Sequence, residues 1–434
     1  MKAATYHPAR AEDVFSAEEG ETVELKGWVA RRDQVGGVYF VIVRDGSGSV
    51  QVSAKKGVAP EGAIDSIKRA TRESAVVVRG VVKADRRAPG GREVSATQFE
   101  VLSQAESWPI TKTAAKSASF LFDKRHLSIR GPKAIATMKI RAEVCGAAFD
   151  YFREMGFCLI SAPTFVQAAV EGGSTLFEVG YFGRKAYMSQ SAQFYEEASL
   201  PALEKVWIFQ PAFRAEKSKT AKHLTEFWMI EAEQAFADQT ANMALQEGLL
   251  AKMVQRVVER RGRELKVLGR ELKELSLPLP RITYDRAREV ASSNGFAFEW
   301  GEDITTEAER AVSLSQSSPF FITDYPLSAR SFYHMTYADR PKVTRSADLI
   351  APEGFGELAT GGQRIHDHRE LMDRIASQDL APESFGWYLE LRQYGMPPHS
   401  GFGMGVERVT RWIAGLKHIR SASLFPRTVS RLSP

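Results

Sequence analysis

Residues 211–236, PAFRAEKSKTAKHLTEFWMIEAEQAF, together with residues 401–408, GFGMGVER, decide how this chain is read. The first stretch sets Arg214 two residues before Glu216, passes through a basic loop containing His223, and ends in a strand-like apolar run. The second alternates Gly401, Gly403 and Gly405 with larger residues and closes on Glu407 and Arg408. No G-x-x-x-x-G-K-[ST] run occurs anywhere, so a nucleotide bound by this chain would have its phosphates held by side chains such as arginine, not by a glycine-rich loop. Each stretch also has a plainer reading: a strand end with a surface ion pair, and glycines that let a strand pack closely on a helix.

Outward from these motifs the chain falls into two regimes. Between Thr22 and Leu102, five runs rich in Val, Ile, Tyr and Phe are broken by Gly36-Gly37, Asp45-Gly46 and Pro89-Gly90-Gly91. Five strands in so short a span predict a small barrel of OB-fold type, which binds oligonucleotides on one face. We place this domain at 1–104, a small, polar, Pro-containing hinge at 105–122, and the second domain at 123–434. There, helical periodicity in MKIRAEVCGAAFDYFREMG and over 241–275 alternates with strand-like KAYMSQ, KVWIFQP, EFWMIEAEQAF, PFFITDY and TRSADLIAP. That order predicts an α+β fold: an antiparallel sheet flanked by helices rather than a Rossmann alternation.

Composition narrows the class further. A chain of 434 residues with 44% hydrophobic content is sized for at least two cores. The start lacks a signal-peptide apolar run and no stretch approaches a membrane span, so no membrane role and a cytoplasmic location are expected. Two cysteines, Cys145 and Cys158, make neither a four-ligand zinc site nor a disulfide framework. The net charge of +5 is compatible with a polyanion partner without requiring one.

F-R-x-E, a charged loop and E-F, followed at a distance by G-x-G-x-G-x-E-R, resemble motifs 2 and 3 of the class II aminoacyl-tRNA synthetases, in the subgroup (subclass IIb) that charges aspartate, asparagine and lysine. The likeness runs from GWVARR to FPRTVSR and leans toward archaeal-type asparaginyl enzymes through FPRT, PHSGFG and KSKTAKHLTEFW. FITDYP, MPPH, GGQRIH and SLFPR are closer to aspartyl enzymes, and Lys222 stands where an arginine is usual. The resemblance implies that Arg214 holds the α-phosphate of ATP, Glu216 faces the adenine and the tRNA acceptor end, and His223 approaches the γ-phosphate. It further implies that Phe227 and Arg408 sandwich the adenine. Asp348 and Glu357 would hold Mg2+ through hard oxygens; the short APEGF insertion between them resembles asparaginyl enzymes.

For the amino acid, the resemblance assigns Glu171 and Glu231 to the α-amino group, Gln193 to the pocket lining and Arg364 to the side-chain oxygen. Aspartyl enzymes carry a lysine three residues after that glutamine; here stands Glu196, followed by Glu197. Like charges at about 4 Å cost several kcal/mol, so a carboxylate here disfavours aspartate, whereas an asparagine amide would donate to it. We expect Glu197 to accept from the amide and Glu196 to be solvated. In the N-terminal domain the resemblance points to Phe40 and Gln51 for stacking on and reading the central anticodon base, with Arg31 and Arg32 as backbone contacts. Motif 1 corresponds to the MKIRAEV helix and the GFCLISAPTF run, with Pro163 at a two-fold interface of a homodimer. The implied activity is ligation of asparagine to tRNA(Asn) through Asn-AMP. An aspartyl enzyme, or a paralogue with an RNA-binding role, is the alternative.

Overall fold

The alternation of β-branched and polar residues after Thr22 settles into strands in the computed structural model, which describes residues 6–167, 176–217, 220–378 and 380–434. The chain divides into two units, Met1–Leu121 and Phe122–Pro434. In the first, β1 (His7–Ala9), β2 (Thr22–Val35), β3 (Val38–Arg44), β4 (Ser49–Lys55), α1 (Glu61–Arg69), β5 (Ala75–Ala84) and β6 (Arg92–Ser103) follow in order. The sheet runs β1-β2-β3-β4-β6-β5, and a further β2–β5 pairing closes it into a barrel. Val41, Val43, Val52, Val78 and Val94 fill its interior, and the intervening Phe40, Ile42 and Arg44 face outward. Gly36, at φ 56°, supplies the left-handed turn between β2 and β3.

The second unit contains α2 (Pro132–Glu154), β7 (Cys158–Leu159), α3 (Gln193–Leu203), β8 (Lys205–Phe213), β9 (Glu226–Ala235), α4 (Gln239–Arg260), β10 (Arg281–Thr283), α5 (Thr306–Leu314), β11 (Phe320–Thr323), β12 (Ser346–Ala351), β13 (Gly356–Gln363), β14 (His399–Gly405) and α6 (Val406–Ile413). Eight strands lie in the order β10-β11-β12-β13-β14-β9-β8-β7. Pairing is antiparallel except for β10–β11 and β8–β7 at the two edges. This is the α+β arrangement expected from the order of elements.

Strand periodicity sorts β9 into two faces. Trp228, Ile230 and Ala232 join the core built with α2, α4 and α6, where Phe152, Leu250, Met253 and Trp412 are buried. Phe227, Met229, Glu231 and Glu233 point the other way and line a cavity. Helices therefore cover one face of the sheet and leave the other for chemistry. The helix expected over 241–275 is shorter than its periodicity suggested. Arg261 leaves helical geometry at φ −126°, a separate turn spans Gly262–Leu268, and Gly269 caps it in the left-handed region. Arg261 is drawn to Glu143 on α2, at 2.5 and 3.0 Å, and Gly262 offers little resistance to the break.

Phe152 is fully buried and stacks on Trp207 with ring centroids 4.5 Å apart. Phe152→Ala should cost about 3–5 kcal/mol and lower the guanidinium unfolding midpoint correspondingly. A change below about 1 kcal/mol would contradict this packing.

Candidate active site

The cavity, of about 400 Å³, rests on β9 and β14. Their antiparallel register sets Gly403 opposite Glu231 and Gly401 opposite Glu233. A Cβ at Gly401 would meet Glu233 Cδ at 2.0 Å and the Ala232 carbonyl at 2.4 Å, so only glycine leaves room for that carboxylate. Gly401 thus makes space for an acidic neighbour, and Gly403 clears the Met229 methyl, which a Cβ would meet at 2.8 Å.

At one end of the cavity, basic and acidic groups interlock. Arg408 Nη1 donates to Glu357 Oε1 at 2.5 Å. Lys222 Nζ donates to both oxygens of Glu309 on α5 at 3.1 and 3.0 Å, and the Glu357 amide donates to Glu309 at 3.2 Å. Desolvation raises the Glu357 carboxyl, but Arg408, Lys222 and Arg214 outweigh it and bring the group down to about 2. The Arg214 guanidinium lies 5.6 Å from the Phe227 ring centroid. His223 Nδ1 is 2.5 Å from Thr220 Oγ1, and its Nε2 is 4.0 Å from Glu216. Desolvation and then Arg408 push the His223 imidazole below its ordinary value. Beneath, Glu407 accepts from Arg141 of α2 and from the Trp228 amide, each at 2.9 Å, tying α6 to α2 and β9.

The other end is acidic. Glu231 Oε2 accepts from Ser191 Oγ at 2.6 Å and from the Ala192 amide at 2.9 Å. Arg364 is 3% exposed and donates to Glu233 from Nε at 3.0 and 3.4 Å and from Nη2 at 2.6 Å. His334 Nε2 lies 3.3 Å from Arg364 Nη1, and desolvation followed by Arg364 drives His334 well below its usual range, leaving it neutral.

Here the expected division between two glutamates is reversed. Glu196, expected to be solvated, is 1% exposed, lines the cavity, and neither of its oxygens accepts a hydrogen bond. Glu197, expected to meet the ligand, is fully buried and does not line the cavity. Its carboxylate accepts from Gln193 Nε2 at 3.0 Å, from Tyr388 Oη at 2.9 Å to each oxygen and from His399 Nε2 at 2.9 Å, and it pairs with Arg392. The reason is helical: successive residues on α3 point about 100° apart, so only one of the pair can face the cavity. Desolvation raises Glu197, yet Arg392 and His399 hold it well below the usual carboxylate range. Desolvation, then Glu231 and Glu233, push Glu196 well above that range. Gln193 lines the cavity with its amide nitrogen bound to Glu197. Glu171 lies outside the described residues.

Asp348 on β12 pairs with Arg330 at 2.7 Å. Arg330 lines the cavity, whereas Asp348 is not among its lining residues. Among the described residues no three His, Cys, Asp or Glu side chains form a preformed metal cage. Asp348 Oδ1 accepts no hydrogen bond, and together with Glu357 it offers the hard oxygen donors that suit Mg2+ when phosphates and water complete the shell.

On the outer face of the N-terminal barrel, Phe40 is half-buried and pairs across strands with Asp33 and Ser53; Ile42 beside it pairs with Arg31 and Gln51. Gln51 Nε2 and Ser53 Oγ both donate to Glu93, at 2.8 and 2.6 Å. Arg31 contacts Asp33 at 2.5 Å. Arg32 points elsewhere: it donates to the Ile67 and Ala70 carbonyls, at 2.8 and 3.0 Å, and to that of Lys68. It caps the end of α1 and does not share the Phe40 face.

Sequence reading missed Glu233, Glu309, Arg330 and His334. Glu233 was accessible, since two residues beyond Glu231 on a strand is the same face. The others arrive from distant segments and carry no local signal.

Comparison with known proteins agrees with this geometry. The model of a family described as tRNA synthetases class II (D, K and N) matches residues 117–429, and one described as an OB-fold nucleic acid binding domain matches residues 23–102. An asparagine–tRNA ligase of Thermococcus kodakarensis is 44% identical over 97% of this chain and 98% of its own length. That of Desulforamulus reducens is 46% identical over 95% of this chain and 97% of its own. The crystal structure of asparaginyl-tRNA synthetase from Pyrococcus horikoshii complexed with asparaginyl-adenylate superimposes with a TM-score of 0.94 at 42% identity, covering 100% of both chains. An aspartyl-tRNA synthetase from Entamoeba histolytica reaches 0.85 at 26% identity, covering 99% of this chain and 93% of its own. From its motifs, its sheet and these matches, the chain belongs to the class II tRNA synthetases of the aspartate, lysine and asparagine group.

Proposed function

We propose that this chain is an asparagine–tRNA ligase: it activates asparagine with ATP to Asn-AMP, releasing pyrophosphate, and passes the asparaginyl group to the acceptor-end ribose of tRNA(Asn). The observation that carries the amino-acid choice is Glu196, a buried carboxylate with no hydrogen-bond partner, in the same cavity as Arg364. An asparagine side chain satisfies both groups, its oxygen toward Arg364 and its amide toward Glu196. An aspartate brings a second negative charge beside Glu196, which is energetically unfavourable. The full-length asparagine ligase relatives support the same choice.

Each residue then has a task. Glu231 receives the α-ammonium and Gln193 lines the pocket beside it, fixing the carboxylate for in-line attack on the α-phosphorus. Arg214 neutralises the α-phosphate, and His223 approaches the γ-phosphate. Phe227 and Arg408 take the adenine between them, with Glu216 at its edge. Asp348 and Glu357 would hold Mg2+, which supplies charge neutralisation on the phosphates when bound. No covalent enzyme intermediate is needed; positioning and electrostatics suffice. Phe40 and Gln51 form the anticodon-reading face, with Arg31 beside them. The exposed Leu159, Pro163 and Phe165 around the edge strand β7 fit a homodimer interface. Among the described residues no helix is long and apolar enough to cross a membrane, which is compatible with a cytoplasmic enzyme.

ATP–pyrophosphate exchange with asparagine and aspartate side by side tests the reading; faster exchange with aspartate would replace it with the aspartyl alternative. Arg408→Ala should abolish asparagine-dependent exchange while circular dichroism stays native, because no neighbour supplies both stacking and charge. Retention of activity within a few-fold of the parent would remove Arg408 from the site.

The protonation of Glu196 gives a signed pH dependence. Desolvation, then Glu231 and Glu233, favour the protonated form of Glu196, and loss of that proton turns its carboxyl into the stronger, charge-assisted acceptor for the amide. KM for asparagine should therefore fall as pH rises through this titration and then level off, while aspartate, which needs the proton retained, is bound less well. Glu196→Gln should flatten both profiles, and an unchanged asparagine profile in that variant would refute the assignment.

Phe40→Ala should weaken tRNA charging by roughly 1–3 kcal/mol through lost stacking. The loss should appear as a raised KM for tRNA in aminoacylation; an unchanged KM would move the anticodon contact elsewhere.

A further inference from the structure

The charge inventory around Glu196 reaches beyond asparagine. Among the described residues, Arg364, Arg392, His399 and the Gln193 amide are each taken up by another acid. Arg364 is held by Glu233 through three contacts, between 2.6 and 3.4 Å. Arg392 and His399 serve Glu197, and so does the amide nitrogen of Gln193. His334 is neutral. Among the described residues, the charges weighing most on Glu196 are those of Glu231 and Glu233, then the opposing Arg364, then Glu197. With Arg364 and Glu233 offsetting each other and Glu231 met by the substrate α-ammonium, one buried carboxylate is left for the ligand's side chain to satisfy.

A neutral amide supplies that carboxylate with a hydrogen bond; an ammonium supplies both a hydrogen bond and the missing charge. The side chain of L-2,4-diaminobutyrate places its nitrogen the same number of bonds from Cα as the amide nitrogen of asparagine, with no oxygen to position. Resting on the asparagine reading above, we propose that the pocket is a subsite for amino acids bearing a donor or cationic group at this length, and that the enzyme binds and activates L-2,4-diaminobutyrate as well as asparagine. Activation is the same reaction: an oxygen of its α-carboxylate bonds to the α-phosphorus of ATP, the bond to the bridging oxygen breaks, and pyrophosphate leaves with that electron pair.

The test is ATP–pyrophosphate exchange on the full chain with asparagine, aspartate, L-2,4-diaminobutyrate and L-ornithine, whose side chain is one methylene longer. The expected result is exchange with diaminobutyrate and its competitive inhibition of asparagine-dependent exchange. Ornithine should be weaker on both counts. In Glu196→Gln the inhibition constant for diaminobutyrate should rise by about tenfold or more through loss of a charge-assisted contact, and Glu196→Asp should restore part of it. Normal asparagine exchange with no effect of diaminobutyrate at a hundredfold excess over the asparagine KM overturns the proposal and leaves the asparagine reading intact. Inhibition that survives unchanged in Glu196→Gln overturns it too. Absence of asparagine exchange in the parent would instead sink the underlying function. The parent measurement decides the matter even if neither variant folds.

Discussion

The antiparallel register between Glu226–Ala235 and His399–Gly405 is the constraint on which the site depends. It sets Gly401 and Gly403 against Glu233 and Glu231. Two carboxylates can then lie on a sheet face without a facing side chain, and the backbone beside them stays open to a ligand. The opposite face of the same strands is apolar and seats three helices. One strand alternation thus builds the core and the cavity together, so the two cannot be altered independently.

The cavity floor also shows how a protein keeps many charges under cover. Isolated buried carboxylates are costly, and here most are matched: Glu357 with Arg408, Glu309 with Lys222, Glu233 with Arg364, Glu407 with Arg141, Glu197 with Arg392. These pairs hold the long arginine and lysine side chains in place before any ligand arrives, which is what electrostatic catalysis asks of a site. Glu196 departs from the pattern. Its carboxyl is buried without a hydrogen-bond partner, and this is the feature on which the proposed amino-acid preference rests.

The Glu196–Glu197 pair also separates contact from support. Glu197 joins Gln193 of its own helix, Tyr388 and Arg392 of one helical stretch and His399 of β14 into one buried knot. Because Gln193 gives its amide nitrogen to that knot, its carbonyl is the end left for the cavity. Glu197 is thus tied to the cavity wall through Gln193 without lining the cavity itself.

Sequence alone determined the class of this chain, the barrel-plus-sheet architecture and part of the cavity lining. Arg214, Glu216, His223, Phe227, Glu231, Glu357, Arg364 and Arg408 are legible because each sits in a short motif whose chemistry is local. The strand alternation that buries Trp228 and exposes Glu231 could likewise be read directly. What the tertiary structure decided is which of two adjacent glutamates faces the cavity, that Arg32 caps a helix, and that the helix beginning at Gln239 breaks at Arg261. In each case the deciding partner lies far along the chain: Arg392 and His399 for Glu197, the carbonyls of residues 67–70 for Arg32, and Glu143 for Arg261. Local pattern fixes the periodicity of an element; the direction in which a charged side chain turns is set by the counter-charge that folding brings to it.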